Sequence, residues 1–309
     1  MLAEFVDWLS MIFFSLLPIL APVFIATGVG FVWARLGKEY PSDFIGRLVI
    51  NIGTPCLIIV SMAQTDVQLA SIYRVALAAA GVFVVTGVGF AVLLKAFGQS
   101  IHTYLPPTVL PNNGNMGLPV CLFAFGEEGL ALALGYFLVM MLFTFTAGIA
   151  VVAGGGRWRD FALSVVRQPV LWAMAIAVAV LICNWQLPLW LSNTLELLGG
   201  FAIPLMMITL GVSLAQLKVR RWHRSIVFSM MRLAGGLLAG WLLCWALDLK
   251  GVERGVVLLQ SAMPVAVFTY LLALRYERDH QEVAAIVIAS TIMAFIGMPV
   301  LLWWVLPPA

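Results

Sequence analysis

Charged residues are scarce in this chain, and their scarcity excludes a soluble fold. Only 10% of the 309 residues are charged, 63% are hydrophobic and the mean hydropathy is +1.05. Soluble domains carry about 25% charged residues, which cover the surface that faces water. The composition therefore predicts an all-α integral membrane protein built as a single membrane domain.

Motifs for catalysis and for metal binding are also missing. The cysteines are isolated within apolar runs, and the three histidines lie in predicted loops: Cys56, Cys121, Cys183, Cys244, His102, His223 and His280. No C-x-x-C pair and no Ser/His/Asp or Cys/His set is present, so we expect no enzyme activity, metal or cofactor. We also expect no nucleic-acid partner. Glu4 and Asp7 stand where a signal peptide would be basic, so we expect no signal peptide.

Long apolar runs, in contrast, fill the chain. A bilayer core of about 30 Å needs about 20 apolar residues per helix. Ten segments meet this requirement, at about 11–34, 44–63, 72–97, 104–125, 129–153, 167–184, 190–217, 225–247, 253–275 and 283–306. The sequence thus predicts ten transmembrane helices.

The distribution of basic residues predicts the orientation. One alternating set of loops holds 13 of the 17 basic residues, which are Arg35, Lys38, Arg47, Lys95, Arg157, Arg159, Arg167, Lys218, Arg220, Arg221, Arg224, Arg275 and Arg278. Loops rich in Lys and Arg remain in the cytoplasm. We therefore expect a multi-pass protein of the cell inner membrane with both termini in the periplasm.

A polar linker divides the chain into two halves of five segments each. The halves are residues 1–153 and 167–309, and the cytoplasmic linker is 154–166. Because five is an odd number of spans, the second half starts on the opposite side of the membrane, as in an inverted repeat. Pro55 in the second segment and Pro204 in the seventh occupy similar places, and the same comparison pairs the fourth segment with the ninth.

The fourth segment cannot be one continuous helix. Residues 105–119 read LPPTVLPNNGNMGLP, with four prolines, two glycines and three asparagines. Proline removes backbone donors and glycine lowers helix propensity. An interrupted backbone at membrane depth is tolerated only inside protein or beside water. This break is therefore a candidate substrate site, formed by Pro111, Asn112, Asn113, Gly114, Asn115, Gly117 and Pro119.

The ninth segment carries a second predicted break. Gln260, Ser261 and Pro264 lie near its centre, so both breaks are expected at one depth. The first turn of a half-helix exposes N–H groups that bind anions, and Pro119 and Pro264 suit such first-turn positions. Alternatively, the asparagines only satisfy freed backbone groups and the prolines only kink helices for packing. The pairing of two breaks favours a binding site.

Two charged residues within the apolar segments are further candidates, each with a simpler interpretation. Glu196 could couple transport to protons, but its spacing places it at the outer interface as a solvated carboxylate. Arg232 could be a countercharge for substrate, but it lies eight residues beyond Arg224 and could snorkel to the cytoplasmic boundary. The two patterns 27–31 and 86–90, each T-G-V-G-F, are interpreted as close helix contacts.

The residues at both breaks resemble a known family. Leu110-Pro111-Asn112 followed by Met116-Gly117-Leu118-Pro119, with 262–264 and 273–276 in the ninth segment, are similar to the auxin efflux carrier family. That family includes plant auxin carriers and bacterial permeases assigned to malate or malonate. The resemblance implies ten helices in two inverted repeats with broken, crossing helices 4 and 9, and elevator-type alternating access in a homodimer. It also implies that Asn112 faces the substrate, that helices 1, 2, 6 and 7 form a scaffold, and that helices 3–5 and 8–10 transport.

The sequence thus predicts a secondary active or facilitative transporter of a small organic anion such as malate, malonate or an auxin-like acid. The alternative within the same architecture is a bile acid/sodium symporter-like carrier, which would need clustered oxygen ligands for sodium. A channel or a membrane sensor is a further alternative. The sequence contains no signalling domain and no acidic residue at the predicted midplane to anchor a sodium site.

Overall fold

The architecture is helical throughout the part of the chain that a computed structural model describes, which is residues 2–65, 67–155, 166–183, 185–217 and 223–306. Those residues form no β-strand. The helices are α1 Leu2–Arg35, α2 Ser42–Leu48, α3 Thr54–Gln64, α4 Leu69–Ala96, α5 Ile101–Val109, α6 Leu118–Phe143, α7 Ile149–Ala153, α8 Pro169–Ile182, α9 Leu189–Gly200, α10 Ala202–Gln216, α11 His223–Ala246, α12 Gly251–Ser261, α13 Val267–Arg275 and α14 His280–Val305. Short π-helical turns join some of them, at Val49–Gly53, Asn113–Gly117 and Thr144–Gly148.

Seven helical stretches within the described ranges are long and apolar enough to cross a membrane. They are Leu16–Arg35, Ser42–Gln64, Leu69–Ala96, Asn113–Ala153, Leu189–Gln216, Arg224–Ala246 and His280–Val305. This finding makes the protein an integral, multi-pass membrane protein. Large apolar side chains such as Leu197, Trp245 and Ile296 are more than 70% exposed, as expected where lipid surrounds the bundle.

The long stretch Asn113–Ala153 contains an internal break that corresponds to a predicted segment boundary. Gly126 has φ 65° and ψ −155°, which no helix contains, and it separates two helices within α6. Only glycine adopts this region of φ and ψ readily. The sequence placed the end of the fourth segment and the start of the fifth on either side of the same residue. The cytoplasmic linker predicted at 154–166 lies mostly outside the described residues.

One group of helices comprises α1, α3, α8, α9 and α10. Helix α1 lies along α10, and α3 packs against α8 and α9. Gly30 and Gly211 allow the closest approach, since a Cβ on Gly30 would lie 2.0 Å from the Ile208 carbonyl oxygen and a Cβ on Gly211 would lie 1.9 Å from that of Thr27. The interpretation of pattern 27–31 as a close helix contact is therefore confirmed.

The second glycine pattern does not make such a contact. A Cβ on Gly87 or Gly89 would meet nothing within 4 Å, because both residues face away from the packed side of α4. The interpretation of 86–90 as a close contact is wrong for these glycines. The same letters at helical spacing do not reveal which face of a helix meets a neighbour.

The second group of helices contains both predicted breaks. Helix α4 packs against α5, α6 and α11, while α11 also packs against α12 and α14. At one end of this group, Arg74 forms an ion pair with Glu253 at 3.4 Å and donates to the Leu247 and Asp248 carbonyls at 2.9 Å. At the other end, the Arg278 guanidinium donates to the Val152 carbonyl at 2.8 Å. These contacts join neighbouring helix ends at both ends of the second group.

Candidate functional site: two interrupted helices that cross

The first interruption lies where the proline and asparagine cluster predicted it. Helix α5 ends at Val109, residues 110–112 are non-helical, and the π-helical turn Asn113–Gly117 leads into α6 at Leu118. Proline at position 111 cannot donate the hydrogen bond that would continue α5. Pro119 lies in the first turn of α6, as expected, where a missing N–H costs no helical bond.

The second interruption separates α12, which ends at Ser261, from α13, which begins at Val267. The prediction that Pro264 occupies a first-turn position is wrong. Pro264 lies three residues before Val267, in a buried extended segment. Pro264 instead contributes its backbone carbonyl oxygen, which accepts a hydrogen bond from the other interruption.

The two interruptions cross and are joined by backbone hydrogen bonds. The Asn112 N–H donates to the Pro264 carbonyl at 2.7 Å, and the Ala266 N–H donates to the Leu110 carbonyl at 3.1 Å. This pair of bonds makes an isolated antiparallel bridge between Pro111 and Val265. Each break thus satisfies backbone groups that the other leaves open, as membrane depth requires.

Two asparagine side chains carry unpaired polar atoms at the crossing. Asn112 is 5% exposed and Asn113 is 2% exposed. The Asn112 side-chain nitrogen Nδ2 and the Asn113 side-chain oxygen Oδ1 have no hydrogen-bond partner among the described residues. A buried polar atom without a partner costs about 1–3 kcal/mol, so such atoms indicate a place where a ligand or water completes the set.

Gln260 holds Asn113 in place. The Asn113 Nδ2 donates to the Gln260 backbone carbonyl at 2.9 Å and to the Gln260 Oε1 at 2.5 Å, while the Gln260 Nε2 donates to Cys121 Sγ at 3.7 Å. Gly117 makes room for this amide, because a Cβ there would lie 2.3 Å from Gln260 Oε1. Both ends of the Gln260 side chain therefore have protein partners.

The remaining candidates of the two breaks differ in accessibility. The Ser261 hydroxyl donates to the Leu258 carbonyl of its own helix at 3.1 Å, so it is occupied within α12. Gly114 and Asn115 are half-buried, in contrast to the fully buried Pro111. The most open part of the crossing is thus the middle of the π-helical turn, at Gly114 and Asn115. Phe137 lies beside it, 3.1 Å from where a Gly114 Cβ would be.

Arg232 lies far from where its sequence position suggested. The expectation that it snorkels to the cytoplasmic boundary is wrong: the side chain is completely buried. Its guanidinium donates to the carbonyls of Thr108 at 3.2 Å, Val109 at 3.3 Å and Met263 at 3.3 Å, and also to that of Ser261. The physical reason is that both helix interruptions leave carbonyls without partners, and these attract the cation inward.

Glu196 takes no part in the crossing. It is exposed on α9 and accepts a hydrogen bond from the Gln64 side chain, which also donates to Ser192 at 3.2 Å. This environment fits a solvated carboxylate at an interface. Within the described ranges, no group of three or more His, Cys, Asp or Glu residues is placed to hold a metal ion.

A helical membrane protein with two interrupted helices that cross at buried, unpaired amides belongs structurally with membrane transporters. Comparison with known proteins gives the same class, since residues 158–302 match the family described as membrane transport protein. An uncharacterized transporter of Methanothermobacter thermautotrophicus is 28% identical over 95% of this chain and 99% of its own length. An uncharacterized transporter of Methanocaldococcus jannaschii is 28% identical over 69% of this chain and 71% of its own. The chain is thus similar to a membrane transport protein family over residues 158–302 and to two proteins named as transporters over most of its length.

Proposed function

We propose that this protein is a secondary active or facilitative transporter that carries a small organic carboxylate anion across the cell inner membrane. The observation that supports this proposal most directly is the crossing itself. There, the Asn112 side chain is buried with its Nδ2 donor unpaired, beside the start of a half-helix. A donor of this kind in an apolar bundle fits a ligand that brings negative charge.

The chemistry of the crossing favours an anion. The first turn of a helix leaves N–H groups without intrahelical partners and carries partial positive charge. Two such turns begin here, one at the Asn113–Gly117 segment and one at Val267. We propose that the carboxylate is held by these N–H groups and by Asn112. The proposed binding set is Pro111, Asn112, Asn113, Gly114, Asn115, Gly117, Pro119 and Pro264, with Gln260 and Ser261 supporting it.

The proposed architecture is ten helices in two inverted five-helix repeats, residues 1–153 and 167–309. The helices around α1, α3, α8 and α10 form the scaffold in this proposal. The group containing both crossing breaks then moves against this scaffold to alternate access between the two sides. Packing that is denser within each group than between the two groups supports the division. A homodimer, with both termini in the periplasm, completes the proposal.

Counterflow in proteoliposomes tests the proposal. Purified protein is reconstituted and assayed with malate, malonate and indole-3-acetate, each with and without sodium and proton gradients. We expect exchange of at least one of these acids above the level of protein-free liposomes. A strict requirement for a sodium gradient would favour the bile acid/sodium symporter-like alternative instead.

The Asn112→Ala variant tests the site within the same assay. We expect it to abolish counterflow while the thermal stability of the purified protein is kept, because Asn112 Nδ2 has no protein partner to lose. Asn193→Ala on the exposed face of α9 is the matched control and should transport normally. Equal transport by Asn112→Ala and the wild-type protein would reject the site.

A further inference from the structure

The guanidinium of Arg232 is a charged group in the interior of the described helices. It is completely buried, and all of its hydrogen bonds go to backbone carbonyls of the two interruptions. No acidic side chain in the described ranges lies within ion-pair distance of it. An uncompensated charge inside a membrane protein is costly, so these carbonyls must stabilise it.

The carbonyls come from the C-terminal ends of two half-helices. Thr108 and Val109 end α5, while Ser261 ends α12 and Met263 follows it. The last carbonyls of a helix have no intrahelical donors and carry partial negative charge. Two such ends converge on one point, and a cation between them neutralises both. In carriers built from broken helices, half-helix C-terminal ends and unwound carbonyls coordinate the coupling cation.

The surroundings are shaped to admit the guanidinium. Gly236 lies one turn beyond Arg232 on α11, where a Cβ would be 2.7 Å from the Arg232 Nη2 and 2.1 Å from the Ser261 carbonyl oxygen. The break after α12 can therefore approach α11 closely enough to bond the side chain. All three guanidinium nitrogens donate in these bonds, so no pair of N–H groups is left wholly free to bind a substrate carboxylate in a bidentate way.

We propose that Arg232 is a fixed internal cation that takes the place of a bound coupling cation between the two half-helix C-termini. It is a positioning residue: it holds both interruptions in one arrangement and supplies the positive charge for the crossing. As a consequence, the two interruptions stay ordered at the crossing without bound sodium. The link to anion transport rests on the proposed function, whereas the positional role does not.

The test compares Arg232→Lys, Arg232→Gln and Arg232→Ala in the purified full-length protein, with Arg224→Gln, at the exposed start of α11, as matched control. The readouts are the melting temperature in sodium chloride and in choline chloride, and amide hydrogen exchange of residues 106–117 and 258–268. No substrate is needed for either readout. Failure of malate, malonate or indole-3-acetate counterflow therefore bears only on the proposed function.

We expect Arg232→Ala to lower the melting temperature by about 10 °C and to speed exchange at both interruptions. Lysine should recover more of the loss than glutamine, because it keeps the charge. Sodium or methylguanidinium should partly restore the Ala variant but not alter the wild-type protein, and choline should do neither. The Arg224→Gln control should match the wild-type protein.

Three results would overturn the inference. The first is wild-type stability and exchange in Arg232→Ala. The second is equal recovery by glutamine and lysine, which would show that hydrogen bonding without charge is sufficient. The third is a sodium-dependent melting temperature in the wild-type protein. If the Ala variant does not fold, the Lys and Gln variants and the wild-type salt comparison still decide the question.

Discussion

The backbone N–H of Asn112 donates to the carbonyl oxygen of Pro264 over 2.7 Å, although the two residues are 152 positions apart. Neither residue could complete its backbone bonding within its own broken helix. Asn112 follows the end of α5, and the proline ring prevents a regular helix at position 264. The bond thus joins two distant segments, while the Asn112 side-chain Nδ2 has no hydrogen-bond partner among the described residues.

Gly117→Ala tests the contact between the two interruptions. The new Cβ would lie 2.3 Å from Gln260 Oε1, so the amide that holds Asn113 must move. We expect a loss of about 1–3 kcal/mol in the free energy of unfolding and a strong loss of counterflow. Thermal unfolding and counterflow are measured on the same preparations.

Gly89→Ala is the control for this change, because a Cβ there would meet nothing within 4 Å. It should leave stability within about 1 kcal/mol of wild type. If Gly117→Ala behaves like Gly89→Ala, the close packing of Gly117 on Gln260 does not position the site.

Gln260→Leu tests whether Gln260 acts through Asn113. The substitution removes the side-chain acceptor of the Asn113 Nδ2 donor and leaves only the backbone carbonyl at 2.9 Å. Loss of this buried hydrogen bond should lower the free energy of unfolding by about 1–3 kcal/mol. Gln68→Leu, at an exposed position before α4, should cost little. A Gln260→Leu protein as stable as Gln68→Leu would contradict the structural role.

Gly30→Val tests the tight contact between α1 and α10. The valine side chain would overlap the Ile208 carbonyl, which a Cβ alone already approaches to 2.0 Å. We expect a loss of at least about 1–3 kcal/mol, measured as a lower melting temperature. Gly28→Val lies two residues away in the same helix and would meet nothing within 4 Å. Equal stability of the two variants would refute the contact.

Cysteine labelling tests the proposed orientation. In a background in which Cys56, Cys121, Cys183 and Cys244 are replaced by alanine, a cysteine at Glu127 should react with an impermeant maleimide from the periplasm. A cysteine at Arg157, which lies outside the described residues, should react only after permeabilisation, because basic loops remain in the cytoplasm. The reverse pattern would overturn the topology.

Local chemistry made the first break predictable from the sequence. Proline removes donors wherever it stands, so residues 105–119 had to interrupt a helix. Gly126 was also predictable as a boundary, since Glu127 and Glu128 follow it directly. Both predictions depend on residues close in sequence, and they needed no tertiary information.

Long-range partners were not predictable in the same way. The predicted position of Arg232 rested on its spacing from Arg224. That spacing gives the position along one helix but carries no information about neighbouring helices. The free carbonyls that bind it belong to residues 29 to 124 positions away. Gly236, one turn further along α11, was a local signal that a backbone segment approaches there. Similarly, only packing distinguishes Gly30 from Gly89.

The reciprocal bonds between the two breaks have a consequence for how such a chain can change. A helix broken alone would leave its open amides and carbonyls facing hydrocarbon, whereas the second break supplies their partners. A substitution that made one of these helices continuous would therefore leave backbone groups of the other break without hydrogen-bond partners. The two irregular segments therefore depend on each other for their backbone hydrogen bonds.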